Sequence, residues 1–465
     1  MTRSAVLMSI LALVGATALG NASWRIAVDE MAVVGVIKPV SAVNGGPSPR
    51  IRGPHAAWRQ ARIPFGRTHD MNHSWEFGGP HTIDVDAVFP DFEADENDPA
   101  NYDFFYTDQT LDALKACGIE PFYRLGPSIE GGLKKYHTHP PKDFAKWARI
   151  CEHIILHCNE GWANGHRRGI RYWEIWFEPD IGANAWTGTR EQFLELFKTA
   201  AIHLKSRFPK LKIGGPAFAE GLAWKELFLP FCRRENVPLD FYSWHCYTND
   251  ARLLGNRTRE VRALLDANGF TATESVCDEW NYVRGWKGED WAYSRQVESG
   301  AFVQKGAAFA AAALSVLQDA PVDLAMYYDT RTYGGMNMLF DPVGMREMKG
   351  YYPFYAWGKL LNDYGTEVRA TVSGDSKPEQ LFVTAAKDVT GRLAVWIARF
   401  SDDNNVIDRR RVEVRLGTDR AVRPVICHMT DDHRLYTETP LERSADGTLA
   451  LTVSPNAFVF LEEVK

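Results

Sequence analysis

The sequence predicts an α/β fold: a (β/α)₈ barrel followed by an antiparallel β-sandwich. Three observations predict it. Between about residues 62 and 364, short apolar or aromatic runs bounded by Gly, Pro or Asp alternate with helical stripes, as buried parallel strands and their crossover helices do. No Gly-rich phosphate loop follows an early run, which argues against the alternative, an open doubly wound sheet. Beyond Gly365 the helical stripes stop, and short alternating runs separated by turns take over.

Taken in order, the chain starts with Arg3, an apolar stretch over 5–19 and small residues at Gly20, Asn21 and Ala22. That order of charge, apolar core and small residues reads as a secretory signal peptide over residues 1–22, and so as a secreted or periplasmic protein. The stretch is short for a spanning helix, and no stable membrane insertion is expected after cleavage. Residues 31–43 are strand-like and expected to join the sandwich. The catalytic barrel is placed at 55–364, with strands at 63–69, 82–88, 120–126, 170–178, 211–217, 239–247, 274–282 and 322–328. Between them, Thr189 and Gln192 form a capping box that opens a helix ending before Pro209. A helix over 142–158 carries Phe144, Trp147, Cys151, Ile154 and Cys158 on one face, and an Ala-rich helix spans 296–318. The sandwich, 365–465, has strands at 381–385, 393–398, 412–416, 424–428, 449–453 and 457–461.

Composition narrows the function. A formal charge of -6, with no Lys/Arg run, offers no surface for nucleic acid. The seven Cys are an odd number, and Cys151 and Cys158 sit two turns apart on one helix, too far to bridge. Mostly free, buried thiols are expected, and no Cys/His spacing suits zinc. Fifteen Trp suit either a large core or sugar stacking.

Two residues carry most of the chemical information. Glu178 ends the run Tyr172-Trp173-Glu174-Ile175-Trp176-Phe177-Glu178-Pro179, and Glu279 lies in Ser275-Val276-Cys277-Asp278-Glu279-Trp280-Asn281-Tyr282. A carboxylate at the end of a buried strand is poorly solvated and needs a reason to be there. Two of them at strand ends of one barrel match the paired carboxylates of glycoside hydrolysis. Arg67, at another strand end, is suited to hold Glu279 ionised, because a nearby cation favours the carboxylate.

Trp173-Glu174-Ile175-Trp176-Phe177-Glu178-Pro179 resembles the Trp-Glu-Val-Trp-Asn-Glu-Pro signature of glycoside hydrolase family 39, the β-xylosidase and α-L-iduronidase family. Arg67-Thr68-His69 is similar to the family's first-strand motif. Residues 102–126, 211–216 and 240–247 are similar to further strands in order. The resemblance implies that Glu178, after strand four, is the acid/base and Glu279, on strand seven, the nucleophile of a retaining, cofactor-free enzyme. It places Arg67, His69, Phe177, His245, Tyr247, Trp280 and Tyr328 on the substrate side, with no metal. An exo-acting, β-xylosidase-like enzyme on β-linked sugars of a polysaccharide or oligosaccharide is the expected activity.

One departure stands out. Phe177 occupies the position where the family has Asn, whose amide contacts the sugar 2-hydroxyl. A ring there supplies no such hydrogen bond, which motivates a competing reading as a non-catalytic carbohydrate-binding protein. Around Glu279 the sequence combines the xylosidase-type Glu-Trp-Asn with an iduronidase-type Gly285-Trp286. A metal-hydrolase reading rests on His137-Thr138-His139 and on His69, His73 and His81, but no carboxylate has matching spacing.

Overall fold

A computed structural model describes residues 23–71, 83–331, 336–374, 380–417 and 423–464. The signal peptide expected over 1–22, and His73 and His81, lie outside the described residues. Eight parallel strands close into a barrel: β2 (Ala42–Asn44), β3 (Phe65–Arg67), β4 (Glu120–Leu125), β5 (Tyr172–Ile175), β6 (Lys212–Phe218), β7 (Phe241–Thr248), β8 (Glu274–Tyr282) and β9 (Leu324–Tyr327). Seven of these were expected. The strand expected at 82–88 does not exist. Val85–Val88 is a short helix instead, turned across the end of β4 because Asp84 binds Arg124 and the backbone N–H of Ser128 while Val85 N bonds Gly126 O. The eighth strand is Ala42–Asn44, so the barrel begins well before residue 55 and Arg67 closes its second strand, not its first.

Strand alternation builds the barrel interior in layers. Ala42, Phe65, Phe122, Tyr172, Phe241, Val276, Leu324 and Met326 form one buried apolar layer. Two residues further along each strand, on the same face, stand Arg67, Arg124, Glu174, Ser243 and Asp278. The opposite faces, with Tyr123, Trp173, Ile213, Tyr242, Trp244 and Cys277, pack outward against the helices. Those helices include Arg190–Arg207, which has the expected capping box, and Phe144–Asn159, whose Asp143 side chain accepts from Lys146 N. The Ala-rich stretch is two helices rather than one, Gly288–Ser299 and Val303–Asp319, which meet at 83° where Phe302 N turns back to Gln296 O. All seven cysteines are buried and unpaired.

β1 (Ser23–Val36) leads a second, ten-stranded sheet with β10 (Thr366–Gly374), β11 (Leu381–Lys387), β12 (Leu393–Arg399), β13 (Arg410–Leu416), β14 (Val425–Thr430), β15 (Thr437–Glu438), β16 (Glu442–Arg443), β17 (Leu449–Val453) and β18 (Ala457–Glu463). The order is β15-β14-β18-β12-β11-β10-β1-β13-β17-β16. Pairing is antiparallel except between β1 and β13, which run parallel. Distant strands of this sheet, such as β14 with Met429 and β17 with Leu451, share one core, so the sheet curls into a sandwich. Residues 31–36 belong here, while 42–43 belong to the barrel. The two halves lock along Val303–Asp319, where Trp396 Nε1 donates to Ala311 O at 3.0 Å and Ser315 meets Thr384 at 2.8 Å.

Candidate active site

At the C-terminal ends of the barrel strands lies a cleft of about 690 Å³. Glu178 and Glu279 both line it, with His69, Asp70, His245, Tyr247 and Tyr328. Each carboxylate is delivered by a backbone irregularity. After β5 the chain turns through Trp176 and Glu178, with φ of +70° and +37°. This left-handed geometry is costly for side-chain-bearing residues and needs support from its surroundings. Hydrogen bonds from Trp176 N to Leu125 O (2.7 Å) and from Glu178 N to Ala217 O (2.8 Å) tie the corner to both neighbouring strands. Gly126 permits the approach: a Cβ there would lie 3.1 Å from Trp176 Cα.

Glu279 owes its position to a β-bulge. Trp244 pairs with Cys277 but His245 pairs with Glu279, so Asp278 is an extra residue in β8. Without it, alternation would send Glu279 outward. With it, Asp278 and Glu279 both face the interior, while Trp280 is sent out among Tyr327, Phe309 and Phe354.

Beneath the cleft, Arg67 is fully buried and bridges three carboxylates. Its Nε lies 2.7 Å from Glu174 and 3.0 Å from Asp278, and its Nη1 donates to Glu279 Oε1 at 2.6 Å. Asn44, on the short first barrel strand, accepts from Arg67 at 3.0 Å and donates to the Asp278 carbonyl at 2.6 Å. Tyr247 OH donates to the other Glu279 oxygen at 2.5 Å. His245 Nδ1 lies 2.8 Å from Glu178 and 3.5 Å from Glu279, and its Nε2 faces Asp278 at 3.6 Å.

These contacts set the charges. Burial pushes the Glu279 carboxyl up to about 7, opposed by His245 and Arg67. Two charge-assisted donors, Arg67 and Tyr247, favour its ionised form. Burial opposes the charging of His245, but Glu279 and Asp278 hold it well above the ordinary histidine value. Burial and the Arg67 and Arg124 cations hold His69 well below that value, although Asp70 pulls the other way. The site therefore carries one cationic and one neutral imidazole. Burial also raises Glu174, against the pull of Arg67, whereas Arg67 and His245 outweigh burial to lower Asp278. Glu174 Oε1 and both Asp278 oxygens lack a hydrogen-bond donor among the described residues, and a proton held by Glu174 and shared with Asp278 accounts for Glu174 Oε1 and one of the Asp278 oxygens.

The sequence-derived site residues fall into three groups. Glu178, Glu279, His69, His245, Tyr247 and Tyr328 line the cleft. Arg67 lies under it. Phe177 and Trp280 do not line it, which corrects the expectation for both. Phe177 is fully buried, with its ring 4.8 Å from His69 and 5.9 Å from the Arg124 guanidinium, so it backs a cleft residue. Trp280 is turned outward by the bulge.

Sequence reasoning assigned no role to Asn44, Asp70, Glu174, Asp180 or Asp278. Asp70 accepts from Tyr328 OH at 2.8 Å, and Asp180 lines the cleft two residues from Glu178. Charged residues inside apolar runs, Glu174 above all, were the available signal.

His137 and His139, two of the histidines that suggested a metal, are engaged otherwise. His137 pairs with Asp86, and His139 contacts Thr187 and the Lys135 carbonyl. Donor atoms of Glu178, His245 and Glu279 lie within 4.8 Å of one another, and there His245 Nδ1 is hydrogen-bonded to Glu178 at 2.8 Å. At Asp108, His157 and His166, the Arg168 guanidinium 2.9 Å from Asp108 occupies the cation's place.

Residues 77–263 match the family model for glycosyl hydrolases family 39, a stretch that includes Glu178, His245 and Tyr247. Over that stretch the chain is similar to the family. A β-xylosidase of Caldicellulosiruptor saccharolyticus is 32% identical over 160 residues, covering 32% of each chain. One from Geobacillus stearothermophilus is 31% identical over 177 residues, covering 36% of this chain and 34% of that one. The matched stretch thus spans about a third of these curated relatives. Glu279 lies outside the family-model match, so its place rests on geometry.

Solved structures agree on the fold. A glucosidase of Croceicoccus marinus superposes with a TM-score of 0.73 at 22% identity, covering 95% of this chain and 99% of that one. A family 39 β-xylosidase of Caulobacter crescentus gives 0.68 at 19%, covering 95% and 100%.

Proposed function

We propose that this protein is a retaining glycoside hydrolase acting at the end of a sugar chain or on a simple glycoside. The observation that carries this reading is the carboxylate pair. An oxygen of Glu178 and one of Glu279 lie within 4.8 Å of each other. Retaining enzymes hold their carboxyls about 5–5.5 Å apart, whereas inverting ones keep about 6.5–9.5 Å to admit a water.

In the first step the ionised Glu279 attacks the anomeric carbon while Glu178 gives its proton to the departing oxygen, so that the C–O bond breaks and a glycosyl ester forms. In the second, Glu178 takes a proton from water, the hydroxide oxygen bonds the anomeric carbon, and Glu279 leaves as carboxylate. Arg67 and Tyr247 stabilise Glu279 in its ionised forms, before attack and on departure. His245 faces both carboxylates, 2.8 Å from Glu178 and 3.5 Å from Glu279, and orients the pair. His69, neutral and lining the cleft, is the group we assign to a sugar hydroxyl.

A β-linked terminal sugar is the preferred substrate, with β-xylosidase the nearest named activity, as in the Caldicellulosiruptor and Geobacillus relatives. We further propose export, from the residue order at 1–22. A panel of aryl β-glycosides followed by NMR tests the reaction: the first-formed sugar should carry the substrate's anomeric configuration. An inverted product, or no turnover of any panel member, would refute it. N-terminal sequencing of the protein from its native source tests export.

A further inference from the structure

The lining of the cleft changes character from floor to mouth. On the floor, His69, Asp70, His245 and Glu279 are polar and at most 4% exposed. At the mouth, Ile129 after β4, Ile181 after β5, Leu253 in the helix after β7 and Trp286 after β8 are 36%, 38%, 45% and 56% exposed. A single exposed aliphatic side chain needs no explanation, but four on four separate segments converging on one opening do. Trp286 is braced edge-on against Tyr247, with ring centroids 5.0 Å apart, and lies 5.3 Å from Trp291.

The charged groups nearby are largely engaged. Arg257 pairs with Glu260 at 3.2 Å, and Asp180 accepts from the backbone of Ala219 and Glu220, each at 3.1 Å. Among the described residues beside this collar, Glu220 is the charged side chain whose carboxylate has no ion pair or backbone partner.

We propose that the collar is the binding site for an apolar leaving group, so that the substrate is a glycoside of an aliphatic or aromatic alcohol rather than the end of a polysaccharide. This rests on the glycosidase reading above. A second sugar in the mouth would set its hydroxyls against isoleucine and leucine, which offer neither donors nor acceptors, and would lose water without replacement. An alkyl or fused-ring aglycone loses only unfavourable hydration there. The chemistry is unchanged: Glu178 protonates the aglycone oxygen, the alcohol departs, and water supplies the hydroxyl of the freed sugar.

Methyl and octyl β-glycosides of the same sugar test the proposal, because their leaving oxygens have nearly equal acidity and differ only in chain length. Each methylene fully removed from water is worth about fourfold in binding. In the natural protein, kcat/KM should rise at least about tenfold from methyl to octyl, measured below the micellar concentration. In Ile129→Ser/Leu253→Ser the octyl-to-methyl ratio should fall to about one. A ratio taken within one preparation is insensitive to partial misfolding. Calorimetry with methyl and octyl thioglycosides should show the same affinity difference without turnover. Turnover with no dependence on chain length, or a disaccharide of the same sugar outpacing the octyl glycoside, would overturn the collar and leave the glycosidase reading standing. If no glycoside turned over, the catalytic reading would fall. The thioglycoside affinities would still decide the collar, equal values refuting it.

Discussion

The two strand ends that carry Glu279 and Glu178 solve opposite problems. Glu279 is nearly buried and over-supplied with partners: Arg67 on one oxygen, Tyr247 on the other, and His245 within 3.5 Å. Glu178 stands at a left-handed corner with its side chain 15% exposed and, among the described residues, one side-chain partner, His245. The first arrangement fixes a charge and a trajectory. The second leaves a carboxyl accessible to both a leaving group and water, as a residue that must give a proton and then take one requires. What the difference teaches is that the role of a carboxylate is written in what surrounds it rather than in the residue type.

Removing Glu279 should break this comparison most completely. Glu279→Ala should lower kcat by at least roughly 10⁴-fold for every leaving group, since no covalent step remains. Near-natural rates in that variant would end the assignment. Glu178→Gln should cost roughly 10²–10⁴-fold on alkyl glycosides but far less on dinitrophenyl glycosides, which leave without protonation. Equal losses on both would show that Glu178 acts otherwise.

Tyr247→Phe should sharpen the contrast, costing about 10–100-fold for one hydrogen bond to a charged group. It also has a sign in pH. Glu279 must be ionised to attack, and burial already raises its carboxyl, so the natural rate should fall as pH drops through about 7. Loss of the Tyr247 donor destabilises the anion and raises that carboxyl further. The acidic limb of kcat/KM should therefore move to higher pH in Tyr247→Phe, whereas an unmoved limb would show that Tyr247 does not govern the charge.

Phe177→Asn should have the smallest effect on catalysis. Because Phe177 backs His69 from outside the cleft, the amide should cost about 2–4 kcal/mol of stability, seen as a lower Tm, with less than about tenfold change in kcat/KM. A gain in activity would mean that the amide reaches the sugar.

Much of this site was legible before any coordinates. Glu178 and Glu279 were marked by charge at the ends of apolar runs, because strand burial makes unexplained carboxylates conspicuous. The start of the helix Arg190–Arg207 was legible to the residue because its capping box is a local device. What stayed hidden was register. Ala42–Asn44 is too short to carry a periodic signal and was absorbed into the strand-like stretch before it. The bulge at Asp278 exists only in the pairing of β7 with β8, so period-2 reasoning cannot tell that Trp280 faces out. The same blindness hid Asp278 and Glu174, whose meaning depends on Arg67 arriving from another strand. Phe177 misled for a different reason: its position implied the substrate, but its ring turned to the Arg124 layer.

The division of labour between the two carboxylates is tested most directly by trapping the covalent intermediate. A 2-deoxy-2-fluoro glycoside with an activated leaving group slows release of the ester enough for peptide mass spectrometry. The account predicts stoichiometric inactivation, with the added mass on the peptide containing Glu279 and none on that containing Glu178. A label on Glu178, or turnover of the parent glycoside with inverted stereochemistry and no trapped ester, would contradict it.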